Sequence, residues 1–453
     1  MPEPRPSALR RLVTSFEGAL EALNAKSTPE QLERWSVIVH ECMSARGRSF
    51  HNVEHVFDIA AGGDPAEVLA ALYHDTVYYQ VDGGLPAKLS TLLADTIEVS
   101  EGTVKLAPFD PTADPARALV AAIFGFSPGQ VLSPFAGLNE VLSTFLVART
   151  VGPAIPTRTL ALVACCIEAT IPFRKPAADG RTAADALAAR LSEVDGRFGL
   201  KLSPADRTLA VQRAVRLANR DVANFAFEDT ARFLDNTWKL LPETNQALRS
   251  ESAYTVREYR GALQKMEGFL SNLDPKVIFA GFQGAPPPAE VEDLTRRAAR
   301  NLRLGSRYLR AKLLAAHVLE ALAEASGGDA PIALFMGDLP DPHGGVRVER
   351  LEERLPPDPS PPAADVDEEV WRLLAHGRST KSGFDIQHSP LAAMLYRAQG
   401  DVSTDAMLAA ARGGAAPRDL LARVSKPVLG AVVKAVVALA PTRRLKLEAL
   451  LKG

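Results

Sequence analysis

The chain has 453 residues, 47% of them hydrophobic, so it is long enough to bury one large apolar core and a smaller second one. Its 52 lysines and arginines nearly balance its 54 aspartates and glutamates, and no basic block occurs, so nucleic acid is not the expected partner. Three cysteines are too few for a disulfide framework, and no signal-peptide or membrane-spanning pattern is found. We therefore expect a cytoplasmic protein with no membrane partner.

Most segments of the chain, taken from the N-terminus onward, have sequence patterns typical of helices. The first twenty-three or so residues have an amphipathic pattern, and three later segments each place a small polar residue before proline, with an acid or amide in the first turn. These segments are STPEQLERW from Ser27, GGDPAEVLAALYHD from Gly62 and LSPADRTLAVQRAV from Leu202. Helical periodicity continues over residues 205–240, 251–273 and 289–325. The sequence therefore predicts an all-α fold.

Two proline-rich breaks suggest how the chain is divided: GAPPPAE at 284–290 and LPPDPSPPAAD at 355–365. We predict a helical domain over 1–284, a helical extension over 285–354, a linker over 355–365 and a C-terminal helical segment over 366–453. Two strand-like runs flank a Pro/Gly-rich turn within 331–351, and they predict a small β-hairpin.

Histidines and one acid stand out in the N-terminal part. On a helix, His51 and His55 lie one turn apart, so both imidazoles can face one cavity. The Asp64-Pro65 helix start predicts that His74 and Asp75 lie near the third turn of the next helix. Adjacent residues diverge by about 100° on a helix, yet an ion beside the backbone can be reached by both.

A further acid lies on a predicted apolar stripe. The stripe consists of Val211, Ala214, Ala218, Asp221 and Phe225. Because an isolated buried carboxylate is costly, Asp221 needs a partner, either a divalent ion or the neighbouring Arg220. Two imidazoles and two carboxylates form a mixed nitrogen and oxygen ligand set, which suits zinc, manganese, iron or, with more water, magnesium.

His55, the His74–Asp75 pair and the distant Asp221 resemble the pattern of the HD-domain metal-dependent phosphohydrolase superfamily. The run FHNVEH is also similar to the YHN..H motif of cyclic-nucleotide phosphodiesterases and of small bacterial predicted HD phosphohydrolases, with Phe50 in place of the tyrosine. The resemblance covers residues 30–240. It implies an HD-type helical bundle, metal ligation by His55, His74, Asp75 and Asp221, and proton donation by His51.

The resemblance also implies an activity. A divalent ion, one or two in number, activates water for attack on the phosphoester of a nucleotide or other small phosphorylated metabolite. Asp75 takes part as a ligand, and His51 acts as general acid toward the leaving oxygen. We expect Arg46, Arg48 and Arg174 to bind phosphate oxygens through charge-assisted bonds. The catalytic site then belongs to the domain 1–284.

Other interpretations remain open at this stage. The polar groups can form a buried network without metal, or a catalytically idle metal sensor or scaffold whose C-terminal segments are the working surface. An HD-fold iron oxygenase is a further alternative. None of the eight histidines lies between the HD pair and Asp221, the interval from which di-iron oxygenases and binuclear HD phosphodiesterases draw extra ligands, which argues against both. The polar stretch 376–389 is either a lid or partner-binding loop, or a solvated connector.

Overall fold

The computed structural model describes residues 5–249, 253–339, 348–357, 360–380 and 382–452. The chain forms two compact units, the first from residues 1–223 with 274–296 and the second from 224–273 with 297–453. Helices dominate both, so the predicted all-α fold class is confirmed. Among the described residues, no helix is long and apolar enough to cross a bilayer.

The first unit contains the helices that precede residue 223 and a small sheet. Its helices are α1 (Ala8–Ala22), α2 (Pro29–Met43), α3 (Val53–Ala60), α4 (Pro65–Tyr73), α5 (Tyr79–Asp82), α6 (Ala87–Leu93), α7 (Pro115–Phe124), α8 (Leu138–Thr150), α9 (Thr157–Ala169), α10 (Ala183–Phe198) and α11 (Pro204–Asp221), with 3-10 turns at Gly152–Ala154 and Pro275–Val277.

The three predicted helix starts are confirmed. Thr28, Asp64 and Ser203 are the N-caps of α2, α4 and α11, and each forms a reciprocal capping box with the residue three positions later. Proline follows each cap, where its fixed φ suits the first helical position and its missing N–H costs nothing. These caps fix where α4 and α11 begin, and so where their far ends, which carry the site, are placed.

The sheet of the first unit was not predicted. Strands β1 (Ile97–Ser100), β2 (Thr103–Leu106) and β3 (Val131–Leu132) form an antiparallel sheet in the order β1-β2-β3. Glu101 and Gly102 connect the first two strands, with φ of 49° and 76°. Positive φ at both positions is the requirement of a type I′ hairpin turn, whose twist matches that of the paired strands.

The hairpin predicted within 331–351 is not found where it was expected. Its first run forms a short helix, α15 (Ala333–Met336), and residues 348–350 have no regular structure. The predicted turn falls on residues 340–347, which lie outside the described residues.

A continuous apolar core fills the first unit. Its large members include Phe16, Trp35, Tyr73 and Phe145, all nearly or fully buried. The Phe16 ring packs edge-on against Tyr73 with centroids 5.7 Å apart. Because Tyr73 is the last residue of α4, this packing fixes the end of the helix from which His74 and Asp75 follow.

The second unit is also helical. It contains α12 (Thr230–Thr244), α13 (Val256–Asn272), the part of α14 (Pro288–Ser326) from residue 297 onward, α15, α16 (Glu368–His376), α17 (Pro390–Arg412, kinked at Gly400), α18 (Pro417–Leu421), α19 (Lys426–Leu439) and α20 (Arg444–Ala449), with 3-10 turns at Gln246–Arg249, Leu351–Arg354 and Pro441–Arg443. A 3-10 turn, Ala223–Ala226, follows α11 in the chain.

The unit boundaries differ from the predicted ones. Residues 224–273 belong with the C-terminal helices, and both sides of the predicted linker 355–365 lie in the second unit. Part of that segment is packed, because the Ala363 N–H donates to the Arg397 carbonyl over 2.8 Å and Asp365 accepts from the Val402 N–H over 2.7 Å. The prolines of this segment indicate irregular backbone, but they do not show that the segment is a free linker.

Candidate metal centre

His55 owes its position to a helix cap. Asn52 is the N-cap of α3, and its Oδ1 accepts from the N–H groups of Glu54 and His55 over 3.0 and 3.3 Å. Its Nδ2 donates to the Ser49 carbonyl over 2.9 Å. The helix begins at Val53, so His51 precedes it, and the prediction that both histidines lie on one helix is wrong. Capping, rather than a shared helical face, brings them together.

His74 and Asp75 lie where α4 ends. His74 is the C-cap residue and Asp75 follows in a turn, so the prediction of a third-turn position for the pair is corrected. His74 Nδ1 donates to the Ala71 carbonyl over 2.9 Å, which leaves Nε2 as the nitrogen with a free lone pair. Leaving the helix lets two adjacent side chains turn toward the same point.

The loop after Asp75 is held by three surrounding side chains. Arg48 donates to the carbonyls of Asp75 and Thr76. Ser143 Oγ accepts from the Val77 N–H over 3.1 Å, and Asn139 Oδ1 accepts from the Tyr79 N–H over 3.0 Å. The loop is therefore fixed from both sides, which fixes the Asp75 carboxylate.

Asp221 is the last residue of α11. Its neighbour Arg220 is not its partner, because that guanidinium donates to the Ile59 carbonyl over 2.9 Å and to Glu67 over 2.9 Å. The sequence left Arg220 and a metal ion as alternative partners of Asp221, and the structure removes the first.

The four predicted ligands converge. One side-chain atom each from His55, His74, Asp75 and Asp221 lies within 4.8 Å of all the others. His55 Nε2 lies 3.5 Å from Asp75 Oδ2 and 3.2 Å from Asp221 Oδ1, and His74 Nε2 lies 2.9 and 3.4 Å from the same two oxygens. Two atoms each about 2.1 Å from one ion are separated by about 3.0–3.4 Å in octahedral or tetrahedral geometry. The spacing fits ligation of one cation.

The converging atoms are buried without hydrogen bonds. Among the described residues, His55 Nε2, His74 Nε2 and Asp75 Oδ2 have no hydrogen-bond partner of acceptable geometry. Buried donor atoms that converge on one point without hydrogen bonds of acceptable geometry leave room for a cation, which would replace the protons on the two imidazoles. A buried polar network without metal is expected to satisfy its own members.

The electrostatics of the cluster favour added positive charge. Burial lowers the pKa of His55, but the adjacent carboxylates of Asp221 and Asp75 outweigh it and raise the pKa to about 9. The pKa of His74 is likewise raised, since the two carboxylates outweigh its burial. Burial opposes ionisation of Asp221, yet the two histidines lower its pKa to about 2. Two carboxylates thus retain protons on two imidazoles, and a divalent ion supplies the same charge.

His51 lies beside the cluster. Its ring is 5.5 Å from the His55 ring, 4.8 Å from Phe50 and 4.9 Å from Tyr78, centroid to centroid, all with near-perpendicular planes. The charge of His74 and then that of His51 lower the pKa of Asp75 well below its usual range, although burial opposes this. The structure therefore places His51 next to the four converging side chains without making it one of them.

The three predicted phosphate-binding arginines differ in their surroundings. Arg46 is exposed. Arg48 is buried in an ion pair with Asp82, with Nη2 and Oδ2 2.6 Å apart. Its guanidinium therefore holds the loop after Asp75 and is not open to a substrate. Arg174 pairs with the buried Glu168 over 2.6 Å. Arg48 has a structural role that the sequence did not indicate.

One further residue was missed. Glu140, in α8, has a buried Oε2 with no hydrogen-bond partner among the described residues, and the charges of Asp75, Asp221 and His74 act on its ionisation. The signal was present: Glu140 is the only acid of LNEVLSTFLVART, whose other residues are mostly buried. An acid in such a helix is rarely there for solvation.

The predicted loop 376–389 belongs to the second unit. Its Asp385 is buried, and Oδ2 accepts from Trp238 Nε1, Tyr259 OH and Lys312 Nζ over 2.9, 3.0 and 2.8 Å. Lys312 also donates to Ser389 over 2.9 Å. These bonds anchor the stretch from within, so a solvated connector does not describe it.

Comparison with known proteins gives no relative for this chain. A scan against family models, a search of curated proteins and a search of solved structures each returned no match. Membership of the HD superfamily stays a prediction from the residues, and the geometry of the cluster is what carries the functional argument.

Proposed function

We propose that the first unit is a metal-dependent phosphohydrolase of the HD type, cleaving a phosphoester of a nucleotide or other small phosphorylated metabolite. The observation that carries this proposal is the convergence of His55, His74, Asp75 and Asp221 on one point. These residues come from three separate segments, in the order that the family resemblance requires. The adjacent His51 provides a proton-carrying group outside the ligand set.

The four side chains hold the cation. When bound, a divalent ion lowers the pKa of water beside it and neutralises charge that develops on a phosphoryl group. His55 and His74 offer Nε2, and the two aspartates offer one oxygen each. The set is chemically mixed, so it would accept zinc, manganese, iron or magnesium.

His51 acts on the leaving group. As the phosphorus–oxygen bond to the leaving alcohol breaks, the imidazolium donates its proton to that oxygen. The Phe50 and Tyr78 rings contact the His51 ring and restrict its orientation. The charges of His51 and Asp75 interact, so the two groups lie close to each other. Exposed Arg46 remains the candidate among the three arginines for contact with phosphate oxygens.

A paired assay tests this proposal. Wild type, His51→Ala and His51→Gln are incubated with a set of phosphomonoesters and cyclic nucleotides and with Mg²⁺, Mn²⁺, Zn²⁺ or Fe²⁺ in turn. We expect hydrolysis by the wild type and a loss of about 10²–10⁴-fold in kcat for both variants, with unchanged metal content. His388→Ala, an exposed histidine of the second unit, serves as the control and retains full activity.

Other outcomes identify the competing functions. A wild type that binds metal and hydrolyses none of these phosphoesters is the result expected of a metal sensor or scaffold. Bound iron with a redox-dependent absorption or spin-resonance signal is the result expected of an oxygenase. Either result overturns the hydrolase proposal.

A further inference from the structure

Helix α8 faces the loop that follows the HD pair. Asn139 and Ser143, one turn apart on α8, accept the N–H groups of Tyr79 and Val77. Both side chains are buried. These two bonds fix the register between α8 and the loop, because each buried acceptor meets a specific backbone donor. Any residue of α8 beside Asn139 is therefore held in a defined position relative to Asp75.

Glu140 is that residue. Its Oε2 is buried and, within the described ranges, accepts no hydrogen bond. Burial raises the pKa of the Glu140 carboxyl to about 7, its own backbone N–H lowers it, and the charges of Asp75 and Asp221 add to the rise while His74 opposes it. A buried carboxyl oxygen with no hydrogen-bond partner is costly, so the fold retains Glu140 against its own stability.

Glu140 is also separate from the cation ligands. It is not among the four residues whose donor atoms lie within 4.8 Å of one another. It therefore stands near the cluster without completing it. This is the place of a group that acts on a molecule held at the centre rather than on the cation itself.

We propose that Glu140 accepts the proton of the attacking water, which makes it the general base opposite His51, the general acid. This inference rests on the proposed phosphohydrolase function. The water oxygen forms its bond to phosphorus while its proton passes to Glu140 Oε2, and the bond from phosphorus to the leaving oxygen breaks as His51 protonates that oxygen. Glu140 then returns its proton to solvent and His51 takes one up, so no other reactant is needed.

The kinetic test uses Glu140→Gln, which keeps the shape and removes the base. We expect kcat to fall by about 10²–10⁴-fold with KM nearly unchanged, because the water and not the substrate loses its partner. The acidic limb of the kcat/KM profile, which reports this carboxyl in the metal-loaded wild type and therefore lies below pH 7, disappears in the variant. Glu98→Gln removes the same charge from exposed strand β1 and should change neither quantity.

Chemical rescue gives a second kinetic readout. Glu140→Ala leaves space where the carboxylate stood, so added formate is expected to restore part of the lost kcat. Formate does not restore His51→Ala, because that variant lacks an acid rather than a carboxylate base. Glu140→Asp, which retracts the carboxylate by one methylene, should retain more activity than Glu140→Gln.

Calorimetry measures the ionisation of Glu140 on metal binding, independently of any catalytic activity. Mn²⁺ is titrated into each protein at pH 6.5 in two buffers of different ionisation enthalpy, which gives the protons released per ion bound. A cation near Glu140 favours its ionised form, so Glu140→Gln should release roughly 0.5–1 proton fewer than the wild type. Its affinity for Mn²⁺ should fall by no more than about tenfold, the lower end of what an outer-shell group contributes, since Glu140 is not among the four converging residues.

The possible results distinguish the role of Glu140 from the proposed hydrolase activity. An active wild type, with Glu140→Gln equally active and releasing the same number of protons, rejects the role of Glu140 and leaves the hydrolase intact. A wild type that hydrolyses no phosphoester rejects both. If Glu140→Gln binds Mn²⁺ far more weakly, Glu140 is a ligand and the inference as stated is overturned.

Discussion

Each unit of the protein buries a cluster of charged side chains, and the two clusters are built in opposite ways. In the second unit, Asp385 Oδ2 accepts from Trp238, Tyr259 and Lys312, so donors surround the carboxylate. In the first unit, three of the four converging atoms have no hydrogen-bond partner of acceptable geometry among the described residues. Both clusters are charged and mostly buried. They differ in whether their polar atoms have hydrogen-bond partners. A satisfied cluster stabilises the fold, whereas converging unsatisfied lone pairs indicate a ligand.

The largest effect is expected when the unsatisfied cluster loses a member. Asp221→Ala should weaken Mn²⁺ or Zn²⁺ binding by more than about 100-fold, because outer-shell partners alone are worth about 10–100-fold. Calorimetric titration measures this directly. Asp385→Ala removes an equally buried acid from the second unit and should leave the affinity unchanged; equal loss in both variants would mean that the two clusters do not differ as described.

The reverse experiment concerns stability. Asp385→Ala leaves the Lys312 ammonium buried beside no carboxylate partner, so we expect the free energy of unfolding to fall by about 3–5 kcal/mol. Urea unfolding of the metal-free protein measures it. Asp221→Ala should cost less there, because the two imidazoles can lose their protons once the carboxylate is gone, whereas the Lys312 ammonium stays charged. A larger cost for Asp221→Ala than for Asp385→Ala contradicts the comparison.

Metal affinity should depend on pH. Because the pKa of His55 is raised to about 9, a proton must leave before Nε2 can bind a cation. Affinity for Zn²⁺ or Mn²⁺ is therefore expected to rise from pH 6 to about pH 9 by at least about tenfold per pH unit, as one or more protons are displaced. Competition with a chelator of known affinity measures this, and a flat profile contradicts the assignment of His55.

The metal-free protein should respond with the opposite sign. The folded pKa of His55, about 9, exceeds its unfolded value near 6.5, so the protonated imidazole stabilises the fold fully below about pH 6.5. That contribution is lost as pH rises through about 9. Urea unfolding with a chelator present should show it, and His55→Gln should remove that part of the pH dependence.

The smallest effect concerns the helix cap. Asn52→Ala should lower the free energy of unfolding by about 1 kcal/mol, because two backbone N–H groups of α3 lose their acceptor. It should also weaken metal binding by less than about tenfold, since His55 becomes less fixed. Thr28→Ala removes the cap of α2 at a similar cost in stability and should not change metal affinity. Equal metal affinity of Asn52→Ala and wild type would separate the cap from the centre.

The sequence predicted which four side chains come together better than it predicted how they do so. His55, His74, Asp75 and Asp221 could be chosen because polar residues at motif spacing, or on an apolar stripe, need a shared partner. Their placement by helix ends was not predicted. The end of α4 at Tyr73 depends on tertiary contacts such as that with Phe16, whereas the start of α3 at Val53 is set by the local N-cap Asn52, a signal that was overlooked. The caps of α2, α4 and α11 were predictable because each depends on local residues alone.

Most of the features that the sequence did not predict depend on contacts between residues far apart in the chain. Arg48 had the composition of a phosphate clamp, and only its contact with Asp82, 34 residues away, shows that it is occupied. Residues 224–273 look continuous with the first unit in sequence, yet they belong with the C-terminal helices. The β1–β2 hairpin was overlooked because Glu-Gly is a weaker turn signal than Asn-Gly.

The central claim is that four side chains of the first unit share one cation. A crystal of the protein grown with Mn²⁺, measured at a wavelength where manganese scatters anomalously, tests it most directly. The account predicts one anomalous peak about 2.0–2.3 Å from His55 Nε2, His74 Nε2, Asp75 Oδ2 and Asp221 Oδ1. No peak at that point with saturating Mn²⁺ and then Zn²⁺, or a peak with Asp221 turned away from it, contradicts the claim.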